Sequence, residues 1–339
     1  MKYVDAFAGI GGFSIALKNV ISNGQCVCAI EWDKNSAKTY KDNHGIYCLG
    51  DITKIDLNTI PKHDFLFGGF PCQAFSQCGV WGRTKGRTID ELQDERGNLF
   101  LYLVKILELH KPKYFLFENV KGIYSVKNKD GTSYFDVVKE TLESTGYSVF
   151  TEMLDSADFG SAQQRKRVFF VGFRDKTESF LFPKTIKRSV VVQDIAENIV
   201  SEKLLLTNIW KNRKCNILGG SRLDELTRLY NSGYWTIPQK PIFSIEPVAI
   251  ITKDTPSGIS RQHDRMYSHL GLAPTLHTFS PPAFDFESGW RILSPRECAR
   301  LQNFPESFQI HPNQNISYKQ FGNSVNINVV TSIIERMLK

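Results

Sequence analysis

For roughly its first 180 residues the chain alternates short apolar runs with stretches of helical periodicity. A strand buried on both faces reads as an unbroken apolar run, and it reaches a parallel neighbour only through a crossover, usually a helix. This rhythm predicts an α/β fold built on a doubly wound, mostly parallel sheet. Val4–Ala8 and Val27–Glu31 are expected strands, followed by helices over Phe13–Ile21 and Lys34–Asn43. A strand is also expected to end at Gly50-Asp51-Ile52. Phe65–Gly68, Tyr114–Glu118 and Val168–Gly172 read as further buried strands, with helices near Leu99–His110 and Phe135–Ser144. The run from Phe70 to Asn98 lacks periodicity and is dotted with glycines, the pattern of a functional loop.

The rhythm stops near Pro183. From there to Gly289 prolines such as Pro238, Pro247, Pro256 and Pro274 cut the chain into short pieces, which predicts a second, smaller, irregular and β-rich domain. Order returns at Ser294-Pro295-Arg296-Glu297, where Ser as N-cap, Pro at the first helical position and Glu three residues on make a capping-box start. A last helix is expected over Ser324–Leu338. There is no internal repeat and no low-complexity segment.

Composition narrows the partner more than the chemistry. The net charge of +7, spread along the chain rather than gathered in a tail, favours an anionic partner such as nucleic acid. Seven cysteines without C-x-x-C spacing suggest neither a disulfide framework nor a zinc knuckle. The seven histidines show no metal-ligand spacing and are expected at the surface or in loops. No apolar run reaches the roughly 20 residues of a membrane span, and Met1-Lys2-Tyr3-Val4-Asp5 has no signal-peptide core. A reducing, cytoplasmic setting, no membrane and no metal are the expectations.

Strand one runs into Asp5-Ala6-Phe7-Ala8-Gly9-Ile10-Gly11-Gly12-Phe13. Glycines at a strand-to-helix turn let a ligand approach the backbone and expose helix N-terminal amides. The spacing is not G-x-G-x-x-G, which counts against a dinucleotide. Glu31, about twenty residues on, can hold both ribose hydroxyls of a nucleoside. Trp32 offers a face for the base, and Asp51 can hold its exocyclic amine. Together these describe an adenosine site without a pyrophosphate cradle, which suits S-adenosylmethionine better than a nicotinamide dinucleotide.

Gly68-Gly69-Phe70-Pro71-Cys72-Gln73 follows a buried strand and puts a cysteine at the carboxyl edge of the sheet, where α/β folds bind ligands. A single cysteine is most often inert core; this one opens a long glycine-dotted loop, which favours a nucleophile. Glu118 closes another strand at the same edge, after four apolar residues. Its carboxyl is expected to be partly desolvated and able to donate a proton. Otherwise it would be a helix-capping acid. In Gln163-Gln164-Arg165-Lys166-Arg167, alternation sends Arg165 and Arg167 to one face; a charge cluster of this kind is otherwise a solvated surface. A zinc deaminase is excluded, because H-x-E and P-C-x-x-C are absent.

The order of these motifs resembles the C5-cytosine-specific DNA methyltransferases of bacterial restriction-modification systems. The glycine turn resembles that family's first motif, and Pro71-Cys72-Gln73 its nucleophile motif. Glu118-Asn119-Val120 and Gln163 to Arg167 follow in order. Arg291 to Pro305 and Gln320-Phe321-Gly322-Asn323-Ser324-Val325 resemble the last two. The likeness covers 1–175 and 290–339, and the region between is where the family keeps its target-recognition domain. Phe70 and Ala162 stand where many members carry proline, and neither change removes a chemical group.

The resemblance implies a Rossmann-like catalytic and cofactor domain over 1–183 plus 305–339, a target-recognition domain over 184–289 and a hinge over 290–304. It implies Cys72, Glu118, Asn119, Arg165 and Arg167 as catalytic residues. Asp5, Phe7, Gly9, Gly11, Gly12, Glu31, Trp32, Asp51, Ile52, Pro71, Asn323, Ser324 and Val325 are the expected cofactor-site residues. Asn323-Ser324-Val325 would fold back beside the glycine turn. Gln73, Ser76, Gln77, Arg96, Arg261, Arg265, Thr275 and Leu276 are expected on double-stranded DNA, within or near loops Gly258–Arg265 and Thr275–Ser280. The expected protein is a cytoplasmic monomer that meets the nucleoid through DNA. A restriction endonuclease would act on the same site without touching it. No regulatory extension precedes Met1–Phe7, which suits a stand-alone bacterial or phage enzyme. The other readings are a tRNA cytosine methyltransferase, a catalytically dead DNA-binding relative and a nicotinamide-dependent oxidoreductase. Substrate class, absence of methyl transfer and tight dinucleotide binding would respectively single these out.

Overall fold

The computed structural model describes residues 1–70, 99–127, 131–198, 200–204, 244–245, 247–250, 265–278, 281–286 and 289–339. The chain divides into two compact units. The first is Met1–Leu154 with Lys166–Lys184 and Val329–Lys339; the second is Asp155–Arg165 with Thr185–Asn328.

In the first unit the elements run β1 (Lys2–Ala6), α1 (Gly12–Val20), β2 (Gln25–Ile30), α2 (Lys34–His44), β3 (Phe65–Gly68), α3 (Leu99–His110), β4 (Tyr114–Val120), α4 (Tyr134–Ser144), β5 (Ser148–Asp155) and β6 (Lys166–Phe173). The sheet order is β2-β1-β3-β4-β6-β5. β1 pairs in parallel with β2 and β3, and β3 with β4. β6 pairs antiparallel to β4, with Glu118 opposite Phe169 and Val120 opposite Arg167. The strand order reverses at β1 and β3, so the crevice beyond their carboxyl ends is the ligand position of the fold. Beneath it Val4, Leu66, Phe115, Phe117 and Phe170 are fully buried in one apolar cluster that includes Leu103 and Leu107 of α3 and Val138 and Leu142 of α4.

Several boundaries differ from expectation. β1 ends at Ala6 rather than Ala8, because Phe7 (φ 55°) and Gly9 (φ 56°) turn the backbone left-handed. The strand expected before Gly50 is reduced to an isolated parallel bridge, Cys48 to Ala29, and then a 3-10 turn over Ile52–Lys54 capped by Asp51. β5 was not expected at all. It is the outermost strand of its sheet, and its Thr151-Glu152-Met153 stretch is partly exposed. His63 lies in a loop, as expected, and is buried there, with Nδ1 2.8 Å from the Pro61 carbonyl and its ring against His110.

The second unit carries α5 (Val192–Ile195), β7 (Pro247–Ile250), β8 (Arg265–Tyr267), β9 (Ala283–Phe286), β10 (Gly289–Ile292), α6 (Pro295–Leu301) and α7 (Gln314–Asn323); α8 (Ile327–Met337) begins in it. Its sheet runs β10-β9-β8-β7, antiparallel except for β8 on β9. The capping box at α6 is present: Ser294 Oγ accepts the Glu297 N–H at 3.1 Å, and Glu297 Oε2 accepts the Ser294 N–H at 2.7 Å. The helix expected over Ser324–Leu338 is α8, which starts three residues later, and α7 before it was not expected. Ser324 ends α7 in an extended conformation (ψ 161°), and α8 starts only at Ile327. His269, in the turn after β8, is buried on Asp285 at 3.1 Å.

Candidate active site

The carboxyl ends of β1 to β4 gather the chemistry of the first unit. After β1, Gly11 (φ 88°) opens α1 with no side-chain cap. The His44 ring at the end of α2 lies against it: a Cβ on Gly11 would stand 2.0 Å from His44 Nε2. That nitrogen is 3.2 Å from the Ile10 carbonyl. Burial pushes the His44 pKa down to about 4, so near pH 7 the ring is neutral and its Nε2–H is free to donate to that carbonyl.

Below the turn Asp5 is fully buried. One carboxyl oxygen accepts from Ser14 Oγ at 2.7 Å and from Tyr40 OH at 3.4 Å, and Oδ1 has no partner among the described residues. Desolvation pushes its pKa up to about 7. Asp5 thus lies under the turn rather than on an open surface.

Glu31, just past β2, uses both oxygens on main chain: Oε2 accepts the Gly9 N–H at 2.9 Å and Oε1 the Asp33 N–H at 2.7 Å. Burial raises its pKa, and those two N–H groups oppose the shift. Asp33 caps α2 through the Ser36 N–H. Trp32 next door is 64% exposed. The position a Gly9 Cβ would fill has nothing within 4 Å. An open backbone, a carboxylate bonded to that backbone and an exposed indole fit the tail, ribose and base of an adenosine-type cofactor. Asp51 accepts from Thr53 N–H and hydroxyl, which hold its carboxyl below the usual range, and Ile52 is buried.

Past β3, Gly69 is placed so that a Cβ there would meet Phe13 at 3.9 Å and Glu118 Oε2 at 4.0 Å. The Glu118 carboxylate, near the end of β4, therefore lies beside Gly69, just past β3. Desolvation alone does not describe it. Arg167 stands diagonally across the antiparallel pair and brings Nε to 2.8 Å from Glu118 Oε1, with both side chains mostly buried. The N–H is not aimed along this contact, so Oε1 has charge compensation without an aligned hydrogen bond. Asn119 is buried, with Oδ1 accepting the Val120 N–H at 2.8 Å and Nδ2 unsatisfied. Pro71, Cys72, Gln73, Ser76, Gln77 and Arg96 lie outside the described residues, as does Arg261.

In the second unit Arg165 is buried and NH2 donates to the carbonyls of Gly322 (3.1 Å) and Ser324 (2.6 Å). The two arginines of the Gln163–Arg167 run thus have different partners. Asn323 is exposed, and Ser324 and Val325 are buried. Thr275 Oγ1 donates to the Gln164 carbonyl at 3.0 Å, and Leu276 is buried. Arg265 is described only through its place on β8, opposite Ile250. Sequence reasoning missed Ser14, Tyr40 and His44, the layer that shapes the glycine turn. Tyr40 and His44 share one face of α2, four residues apart, which was the available signal.

The profile of the C-5 cytosine-specific DNA methylase family matches residues 1–339. This chain is a C-5 cytosine-specific DNA methylase. Within the family it is 35% identical to the Type II methyltransferase M.DsaV of Dactylococcopsis salina over 342 residues, covering 100% of this chain and 86% of that protein. It is 34% identical to the Type II methyltransferase M.HhaI of Haemophilus parahaemolyticus, covering 98% of this chain and 93% of that protein. The methylase's fold matches the crystal structure of the S. pombe Dnmt2 methyltransferase with a TM-score of 0.69 at 18% identity, over 100% of this chain and 98% of that one. Among the described residues no helix is long and apolar enough to cross a membrane, and no group of three or more His, Cys, Asp or Glu could hold a metal ion.

Proposed function

We propose that this methylase transfers the methyl group of S-adenosylmethionine to C5 of a cytosine flipped out of double-stranded DNA, as the modification half of a restriction-modification system. The observation that carries the reading is the family match over the whole chain, together with the Glu118 carboxylate and Arg167 paired beside Gly69, just past β3.

The sulfonium of the cofactor supplies an electrophilic methyl group. Phe7, Gly9, Gly11 and Gly12 hold its tail, Glu31 its ribose, and Trp32, Asp51 and Ile52 its base. Asp5 supports the turn from beneath. Pro71, Asn323, Ser324 and Val325 complete the set. The Cys72 thiolate adds to C6 of cytosine and makes C5 an enamine carbon. Glu118 donates a proton toward N3 as charge builds on the ring, Arg167 holds that carboxyl, and Asn119 helps to hold the ring. Arg165 holds the cytosine O2 and stabilises the added negative charge. Transfer of the methyl group to C5 would release the neutral thioether, S-adenosylhomocysteine; the C5 proton then passes to solvent water, and the C–H electron pair re-forms the C5–C6 double bond and expels the Cys72 thiolate. Atoms C5 and C6 are unreachable in a stacked duplex, so flipping is required, at a cost of a few kcal/mol. Contacts from Gln73, Ser76, Gln77, Arg96, Arg261, Arg265 and Thr275 offset that cost. We assign catalysis to 1–183 plus 305–339 and target recognition to 184–289. The protein acts as a cytoplasmic monomer, with a restriction endonuclease reading the same site separately.

The test is covalent trapping. Duplex DNA in which 5-fluorocytosine replaces cytosine should capture the enzyme after methyl transfer, because the intermediate then carries fluorine where a proton should leave. The adduct should require S-adenosylmethionine, survive denaturing electrophoresis, map to Pro71-Cys72-Gln73, vanish in Cys72→Ser and persist in Cys78→Ser. An adduct on Cys78, or one that survives Cys72→Ser, overturns the mechanism.

A further inference from the structure

Residues Asp155 to Arg165 form a loop closed at its neck. Asp155 is 5% exposed, and its Oδ1 accepts the Arg165 N–H at 3.0 Å and the Ala157 N–H at 3.3 Å. The Arg165 carbonyl in turn accepts the Ser156 N–H at 3.1 Å. The main chain from which the Arg165 guanidinium reaches Gly322 and Ser324 is thus held by one buried carboxylate together with the Ser156 N–H. Arg188, 23 residues downstream, grips the same loop: Nε donates to Asp158 Oδ1 at 2.6 Å, and NH2 reaches Asp155 Oδ2 at 3.5 Å. Its strand-like approach is secured by the Ile186 N–H on the Asp158 carbonyl, at 2.9 Å.

We infer that Arg188 is a positioning residue for Arg165, acting through the Asp155 carboxylate. A carboxylate withdrawn from water keeps its charge only where cations and N–H groups compensate it. Arg188 supplies the cation on Oδ2, which leaves Oδ1 charged and available to the Arg165 N–H. Without it Asp155 is a buried anion held by two main-chain groups alone. Its remaining route is rotation toward water, which loosens the neck. A guanidinium that must hold a cytosine oxygen then loses its fixed origin, and small misplacements of a catalytic group cost rate steeply. The inference rests on the reading of Arg165 as a catalytic residue.

The experiment measures single-turnover methyl transfer to unmethylated plasmid DNA by the full chain, with melting temperature and affinities for S-adenosylmethionine and DNA recorded in parallel. Arg188→Met should lower the transfer rate about ten- to a hundredfold while both affinities hold. Arg188→Lys, which keeps the charge, should recover part of the rate. In an Arg165→Ala background, Arg188→Met should cost no further rate, although it lowers the melting temperature as before. A purely structural role would give losses that multiply. An unchanged rate in Arg188→Met, or multiplied losses in the double variant, overturns the inference. A full rate in Arg165→Ala alone overturns the catalytic reading beneath it.

Discussion

Glu31 Oε2 accepts the main-chain N–H of Gly9 at 2.9 Å, so a carboxylate from the end of β2 ties down the turn that follows β1. The same side chain is assigned to the cofactor ribose, which gives it two tasks at once. Glu31→Ala should weaken S-adenosylmethionine binding by about 1.5–3 kcal/mol and speed amide exchange at Gly9. Glu31→Gln, which keeps one acceptor, should fall between. Calorimetry and hydrogen exchange on the two variants measure both tasks, and an unchanged affinity in Glu31→Ala contradicts the ribose assignment.

Gly11 is under a double constraint. Its φ of 88° costs any other residue about 1–3 kcal/mol, and His44 occupies the space a Cβ needs. Gly11→Ala should therefore lose more cofactor affinity than backbone strain explains. Adding His44→Ala should restore the part due to collision and leave the part due to φ. Equal affinities in the single and double variants would mean that His44 yields without cost.

Asp5 sets a pH signature. Its folded pKa of about 7 stands above the ordinary carboxyl value of 3.8, so between those limits the native state binds the extra proton. Stability from this group is therefore present at low pH and lost as pH rises through about 7. Thermal melts from pH 4 to pH 8 should show this falling component, and Asp5→Asn, which can still accept from Ser14, should remove it. Identical pH profiles would place the titration elsewhere.

Arg291 and Glu297 are paired at 2.7 Å with both side chains essentially inaccessible. Glu297 also accepts the N–H groups of Glu197 and Ser294. Arg291→Met should destabilise the protein by about 3–5 kcal/mol, because it strands a buried carboxylate. The exposed Arg300–Glu306 pair should be worth at most about 1 kcal/mol. Chemical denaturation of Arg291→Met and Glu306→Gln separates the two cases.

How far the sequence was legible varied with the range of the interactions. Phe65–Gly68 and Leu99–His110 were readable to the residue, because an apolar run or a helical stripe there ends at clear polar punctuation. β5 was hidden because Glu152 and Met153 are exposed on an outermost strand, which dilutes the apolar signal. α7 was hidden because Gln314, Asn315, Ser317, Lys319 and Gln320 leave too few apolar residues to draw a helical stripe. Glu118 was legible as a site carboxylate, but its contact with Arg167 depends on antiparallel register, which local pattern does not reveal. His44 over Gly11 and Asp155 under Arg165 are likewise unions of residues distant in sequence or set by loop geometry.

Gly322 presses its Cα against bare backbone: a Cβ there would stand 2.8 Å from the carbonyl carbon and oxygen of His277 and 3.0 Å from the Thr278 nitrogen. Contact of this kind constrains a path and leaves side-chain identity at 277 and 278 free. Lineages can therefore exchange residues here without disturbing the turn that holds Arg165, provided the peptide trace is kept. Anyone grafting a foreign specificity segment onto this scaffold should place the junctions outside 273–278, since an insertion or deletion there moves Gly322 whatever letters are chosen.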